Sequence, residues 1–206
     1  MAVPESSPYD CWERARVDPV VFPEQFAQVR TIFGYGSLIF RPGFQYKRRY
    51  PAVVHGFVRR FWQRSCDHRG TPEAPGRVLA LLRDVDVDLS SEATAGVTGM
   101  AYEVEEEDWP AVLEALDIRE RHGYTRTLTE LYPTPSSSEV LGKAVVYCAH
   151  EPKMTAAYTG PEALEDTAKV IAMAKGPSGP NDEYLFALLD AMESNGLPED
   201  PYLISL

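Results

Sequence analysis

Phe33-Gly34-Tyr35-Gly36-Ser37-Leu38 sets two glycines around one residue where an apolar segment should end. That spacing lets the backbone turn sharply and approach a ligand closely, with successive N–H groups facing one way. Such a cradle attracts a carboxylate or an oxyanion, since fixed dipoles in a dry site need no reorganisation. A dinucleotide fingerprint or a nucleophile elbow would each need glycine at position 39, which is Ile39, so neither a nucleotide nor an acyl-serine is indicated. A glycine bulge in a crowded strand accounts for the same residues equally well.

Glu120 is the second candidate. Trp109, Val112, Leu113 and Leu116 fall at the spacing of a core-facing helical stripe, and Glu120 is its next member. A carboxyl group turned inward there would be desolvated, its pKa rising toward the range useful for proton transfer near neutral pH. The alternative is a helix that ends after Asp117, leaving Glu120 in an exposed Arg119-Glu120-Arg121 ion-pair cluster.

Cys66-Asp67-His68 brings a thiol, a carboxylate and an imidazole together, but neighbours in an extended segment point to opposite faces and form no triad among themselves. His55, His68, His122 and His150 show no metal-ligand spacing, so no metal is expected. The Gly176–Asn181 stretch reads first as a helix connection and second as a loop that shapes a pocket. Arg48-Arg49 and Arg59-Arg60 read as solvated strand-end charges, with a substrate carboxylate as the sharper alternative.

The elements that must position these residues are short. Residues 1–30 are proline-containing and aperiodic, an expected irregular lead-in to one domain over 31–206. Apolar and β-branched segments predict strands at 31–40, 52–62, 77–83, 97–104, 125–132 and 140–148, with an acidic insertion from Asp84 to Gly96. Helices are expected from near Asp108, from Pro161 to about Lys175, and from about Asp182 to Asn195, stopped by Gly196. Leu164, Ala168 and Ile171 should line the core face of the second helix, and Leu185, Leu188, Leu189 and Met192 that of the third. Strands segregated from helices predict an α+β fold, a small curved sheet or β-barrel with surrounding helices.

The 206 residues are 44% hydrophobic and 25% charged, enough for one sizeable core. A net charge of -11 argues against nucleic acid and anionic membranes as partners. Three widely spaced cysteines suggest a reducing compartment. With no basic leader and no long apolar run, the expected location is cytoplasmic.

The glycine segment, Arg60-Phe61-Trp62, Ser65-Cys66-Asp67-His68-Arg69-Gly70 and Pro75-Gly76-Arg77-Val78 together resemble, in order, the ChaC family of glutathione-specific γ-glutamylcyclotransferases. Asp117 to Tyr124, Tyr158-Thr159-Gly160-Pro161 with Leu164-Glu165-Asp166, and Gly176-Pro177-Ser178-Gly179 with Glu183 to Phe186 extend the match over about 31–190. The resemblance implies a γ-glutamylcyclotransferase-like barrel, a cytosolic enzyme without cofactor, and conversion of glutathione to 5-oxoproline and cysteinylglycine. It implies a substrate loop at Ile32, Phe33, Gly34, Tyr35, Gly36, Ser37 and Leu38, and Glu120 as the catalytic acid and base. The sequence departs from the family at His122, Phe40 and Pro180, where Gly, Trp and Arg are usual. Arg60, Arg69 and Arg77 are unranked candidates for the glycine end of the tripeptide.

Overall fold

The computed structural model describes residues 26, 28–86, 96–120, 124–149 and 157–206. Most of the lead-in and of the acidic insertion, together with His122 and His150, lies outside the described residues. The described end of the lead-in buries Phe26 and Val29 in the core.

Seven strands carry the fold: β1 (Thr31–Gly34), β2 (Arg48–Val54), β3 (Phe57–Ser65), β4 (Gly76–Arg83), β5 (Val97–Glu103), β6 (Tyr124–Leu131) and β7 (Gly142–Ala149). Five of them form one sheet in the order β2-β5-β1-β7-β6, antiparallel except where β1 runs parallel to β7. The sheet curls until its outer strands approach. Val53 of β2 and Tyr132, just past β6, exchange backbone hydrogen bonds of 2.8 and 2.9 Å. β3 and β4 form a separate antiparallel hairpin, bulged between Arg60 and Gln63. The molecule is thus α+β with a small curved sheet, the expected class.

The helices are α1 (Trp109–Arg119), α2 (Leu164–Met173), α3 (Asn181–Ser194) and a short α4 (Pro201–Ile204); the two-residue strands β8 (Lys175–Gly176) and β9 (Gly179–Pro180) join α2 to α3. The apolar stripe of α1 is buried as its spacing predicts: Trp109, Val112, Leu113 and Leu116 all face the core. Gly196 takes a left-handed φ of 65° just past α3, the conformation that ends a helix at low cost.

Four features differ from the expectations. The strand expected at 31–40 stops at Gly34, because the chain turns into a 3₁₀ turn over Ser37–Ile39. The segment at 52–62 is two strands reversed at Gly56, whose φ of 77° suits glycine. In α2 the inward residues are Thr167 and Ile171, while Leu164, 39% exposed, sits at the solvent side of its first turn. α4 has too few residues to show a period; it is set by Asp200, whose side chain accepts from the N–H groups of Tyr202 and Leu203.

Two polar residues tie distant segments together. Asn181, wholly buried, accepts from the Arg77 N–H at 2.6 Å and donates to the Arg77 carbonyl at 2.8 Å, joining α3 to the start of β4. Arg59 corrects its reading as a solvated strand-end charge: it is 1% exposed and forks onto Asp200 at 3.0 and 2.8 Å. Its Nη1 donates to the carbonyls of Tyr35 (2.7 Å) and Thr98 (3.2 Å), so it holds the glycine segment from behind. Arg48 does match the bland reading, as an exposed pair with Glu103.

Candidate active site

The glycine segment follows β1 at the centre of the sheet and opens onto a cavity of about 390 Å³. Phe33, Tyr35, Gly36, Ser37 and Leu38 line it; Ile32 and Gly34 are not among the lining residues. Ile32 is fully buried, and Gly34 pairs with Met100 of β5. Neither glycine takes a left-handed φ. What they provide is close approach. A Cβ on Gly34 would come within 2.7 Å of the Leu38 Cβ, and one on Gly36 within 3.1 Å of the Tyr184 hydroxyl and 3.3 Å of Leu79. The segment folds back on itself, with the Ile39 N–H donating to the Gly36 carbonyl (2.9 Å) and the Tyr102 hydroxyl donating to the Leu38 carbonyl (2.7 Å).

Glu120 lines the same cavity. Both sequence readings of it are half right: α1 ends at Arg119 and Glu120 caps it, yet its side chain is only 18% exposed and turned to the cavity. Arg119 joins the two candidate features. Its Nη2 donates to the Ser37 hydroxyl (2.7 Å), its Nη1 to the carbonyls of Arg41 (2.8 Å) and Pro42 (3.1 Å), and its Nε lies 3.4 Å from Glu120 Oε1. One guanidinium therefore sets the distance between the loop and the carboxylate. Spacing in the sequence exposed Arg119 as part of an ion-pair cluster but not its reach across 82 positions to Ser37.

Tyr35, Tyr124 and Tyr184 surround the carboxylate. Burial, then the charges of Tyr124 and Glu120, push the Tyr35 hydroxyl well above its ordinary range. Burial and Glu120 do the same to Tyr124, which donates to the Leu79 carbonyl at 2.5 Å. Tyr184 is raised to about 12, by burial first and Glu120 second, with hydrogen bonds from Leu79 and Ser37 backbone pulling the other way. These hydroxyls stay protonated at neutral pH and can act there as hydrogen-bond donors. Tyr147, also lining the cavity, donates to Asp117 Oδ1 at 2.7 Å, and Arg126 of β6 forks onto the same carboxylate.

A pH dependence follows. The folded pKa of Tyr184 lies above the ordinary value of 10, so the unfolded chain loses this proton first as pH rises. Its contribution is complete below about pH 10 and is lost through about pH 12. Urea unfolding across that window should show stability falling with pH, and Tyr184→Phe should make the fall shallower; an unchanged slope would contradict the burial of this hydroxyl.

The last residues of β3 and the chain just after it line the cavity as well. Gln63 to Arg69 line it, facing Ser178 of the β8–β9 turn, so the Gly176–Asn181 connection does shape a pocket. The contact is tight: the Ser178 N–H donates to the His68 carbonyl at 2.9 Å, and a Cβ on Gly176 would meet that same oxygen at 2.3 Å. His68 Nδ1 lies 3.1 Å from the Ser178 hydroxyl, and Asp67 lies 3.8 Å from His68 Nε2. Of the arginine candidates only Arg69 lines the cavity. Arg77 forks onto Glu162 at 2.7 and 2.8 Å, and Arg60 lies over the Tyr202 ring. Among the described residues no group of three or more His, Cys, Asp or Glu gathers as a metal site.

A family model described as ChaC-like protein matches residues 30–206. The chain belongs to the ChaC-like family. It is 37% identical over 215 residues to a glutathione-specific γ-glutamylcyclotransferase of Saccharomyces cerevisiae, covering 85% of this chain and 93% of that one. It is 38% identical over 172 residues to glutathione-specific γ-glutamylcyclotransferase 1 of Homo sapiens, covering 82% and 72%, and 38% identical to γ-glutamylcyclotransferase 2-3 of Arabidopsis thaliana, covering 82% of each. The crystal structure of the glutathione-specific yeast cyclotransferase superposes with a TM-score of 0.74 at 33% identity, covering 85% of this chain and 94% of that one. The ChaC-like fold expected from the motifs is thus the fold observed. Among the described residues no helix is long and apolar enough to cross a membrane.

Proposed function

We infer that this ChaC-like chain converts glutathione to 5-oxoproline and cysteinylglycine. The observation that carries the reading is the single cavity in which the glycine segment and Glu120 are locked together by Arg119, in a chain similar over most of its length to glutathione-specific cyclotransferases. The substrate's own α-amine attacks its γ-carbonyl and closes a five-membered ring, so no enzyme nucleophile is needed. The enzyme's tasks are to fold the γ-glutamyl chain and to move protons.

In this reading Ile32 to Leu38 form the substrate segment, with Phe33 and Tyr35 to Leu38 against the glutamyl head and Ile32 and Gly34 setting the backbone behind them. Glu120 takes the proton released by the attacking amine and returns it to the peptide nitrogen as that bond breaks. Tyr35 and Tyr184, held protonated and lining the same cavity as Glu120, serve as donors to the oxygen that gains charge on attack. Ser37 contributes backbone and its bond to Arg119, and no acyl intermediate is formed. We read residues 31–206 as one domain behind the lead-in, resident in the cytosol, needing no cofactor and binding neither nucleic acid nor membrane.

A cyclotransferase for other γ-glutamyl compounds would share the cyclising half of the site. Comparing turnover of glutathione with that of γ-glutamylalanine separates the two. Glutathione should be the better substrate; a preference for γ-glutamylalanine would assign the chain to the broader activity.

A further inference from the structure

The reading above uses the glycine segment and Glu120, while Arg69 and Ser178, which line the same cavity, are given no task in it. The arginines of this chain point to what it takes. In Arg48, Arg59, Arg77 and Arg126 the edge formed by Nε and Nη2 is occupied by a carboxylate of the same chain, from Glu103, Asp200, Glu162 and Asp117 respectively. That edge presents two parallel donors that match the two oxygens of a carboxylate.

Arg69 is different. Its Nη1 donates to the Pro180 carbonyl at 2.7 Å and lies 3.3 Å from Glu183, while its Nε and Nη2 have no protein partner among the described residues. Its side chain is only 12% exposed, and it lines the cavity. The anchor is built in: Gly179 passes so close that a Cβ there would meet Arg69 Nη1 at 3.2 Å, and the His68–Gly70 turn is clamped by Gly176. The negative charges nearby are Asp67, beside His68, and Glu183, which is 61% exposed and therefore well screened. Arg64 and Arg41 also line the cavity, and the Arg41 carbonyl accepts from Arg119.

We propose that the Nε–Nη2 edge of Arg69, in the cavity that Ser178 also lines, is a carboxylate subsite that binds the C-terminal carboxylate of the leaving dipeptide. This rests on the cyclotransferase reading above and assigns the specificity for the peptide end to a residue outside the reacting centre. Arg69 is a positioning residue, acting on the reacting bond through the substrate it holds.

The test compares glutathione with its C-terminal amide. On the wild-type protein the amide should show a KM about tenfold to a hundredfold higher at similar kcat, the size of a charge-assisted hydrogen-bonded pair. Arg69→Gln should raise the KM for glutathione by a similar factor and abolish the difference between acid and amide. Equal KM values for acid and amide on the wild-type protein overturn the proposal whether or not the variant folds, as does an Arg69→Gln protein that keeps the preference for the acid. A wild-type protein that releases no 5-oxoproline from either compound removes the function reading and this subsite with it.

Discussion

Glu120→Gln is expected to lower kcat on glutathione by about 10²–10⁴, the contribution typical of a positioned acid–base group, while the protein stays folded. Glutamine keeps the size and the hydrogen-bonding oxygen of the side chain but can neither accept the amine's proton nor deliver one to the departing nitrogen. The position tolerates the change structurally because Glu120 caps α1 through its backbone N–H, bonded to the Leu116 carbonyl at 2.8 Å, and not through its side chain. Circular dichroism and kcat measured together give the check. Turnover within a few-fold of wild type would remove Glu120 from proton transfer.

Arg119→Ala should have the second largest effect, a loss of kcat/KM on the order of 10²-fold, because misplacing reacting groups by about 1 Å costs that much. The guanidinium reaches Ser37, the Arg41 and Pro42 carbonyls and Glu120 together. Its removal leaves the acid–base group present but its distance to the cradle unset. Arg119→Lys should recover only part of the loss, since an ammonium cannot span these partners in one plane. If the lysine variant matches wild type, Arg119 supplies charge and not geometry.

The parts of this site legible in the sequence are those encoded within one element. The stripe from Trp109 to Leu116 carries Glu120 inward because a helix repeats its face at fixed spacing, and the motif order from Phe33 to Glu183 carries the family. What escaped depends on pairs far apart in the chain. Arg59 looked like a solvated charge in Phe57-Val58-Arg59-Arg60-Phe61-Trp62, and its partner Asp200 lies 141 positions away. Alternation could not sort Arg59 from Arg60, because both are buried beside a bulge.

The same distance hid the Arg119 bridge and the tyrosines. Tyr184 belongs to the apolar face of α3, and only the packing of α3 over the glycine segment sets its hydroxyl beside Gly36. The two glycines stand out by their spacing, and the fold shows which neighbours crowd them. Leu38 and Tyr184 crowd Gly34 and Gly36, so the residue type is required by contact with neighbours and not by a left-handed turn. Strand order was equally unreadable, since the β1–β7 pairing joins segments more than a hundred positions apart.

The most direct measurement is product analysis of the purified protein with glutathione alone, quantifying 5-oxoproline, glutamate and cysteinylglycine by mass. Ring closure by the substrate's own amine predicts 5-oxoproline and cysteinylglycine in equal amounts and no glutamate. Glutamate in place of 5-oxoproline would show water as the nucleophile, and bound glutathione without products would make the cavity a binding site; either result contradicts the account.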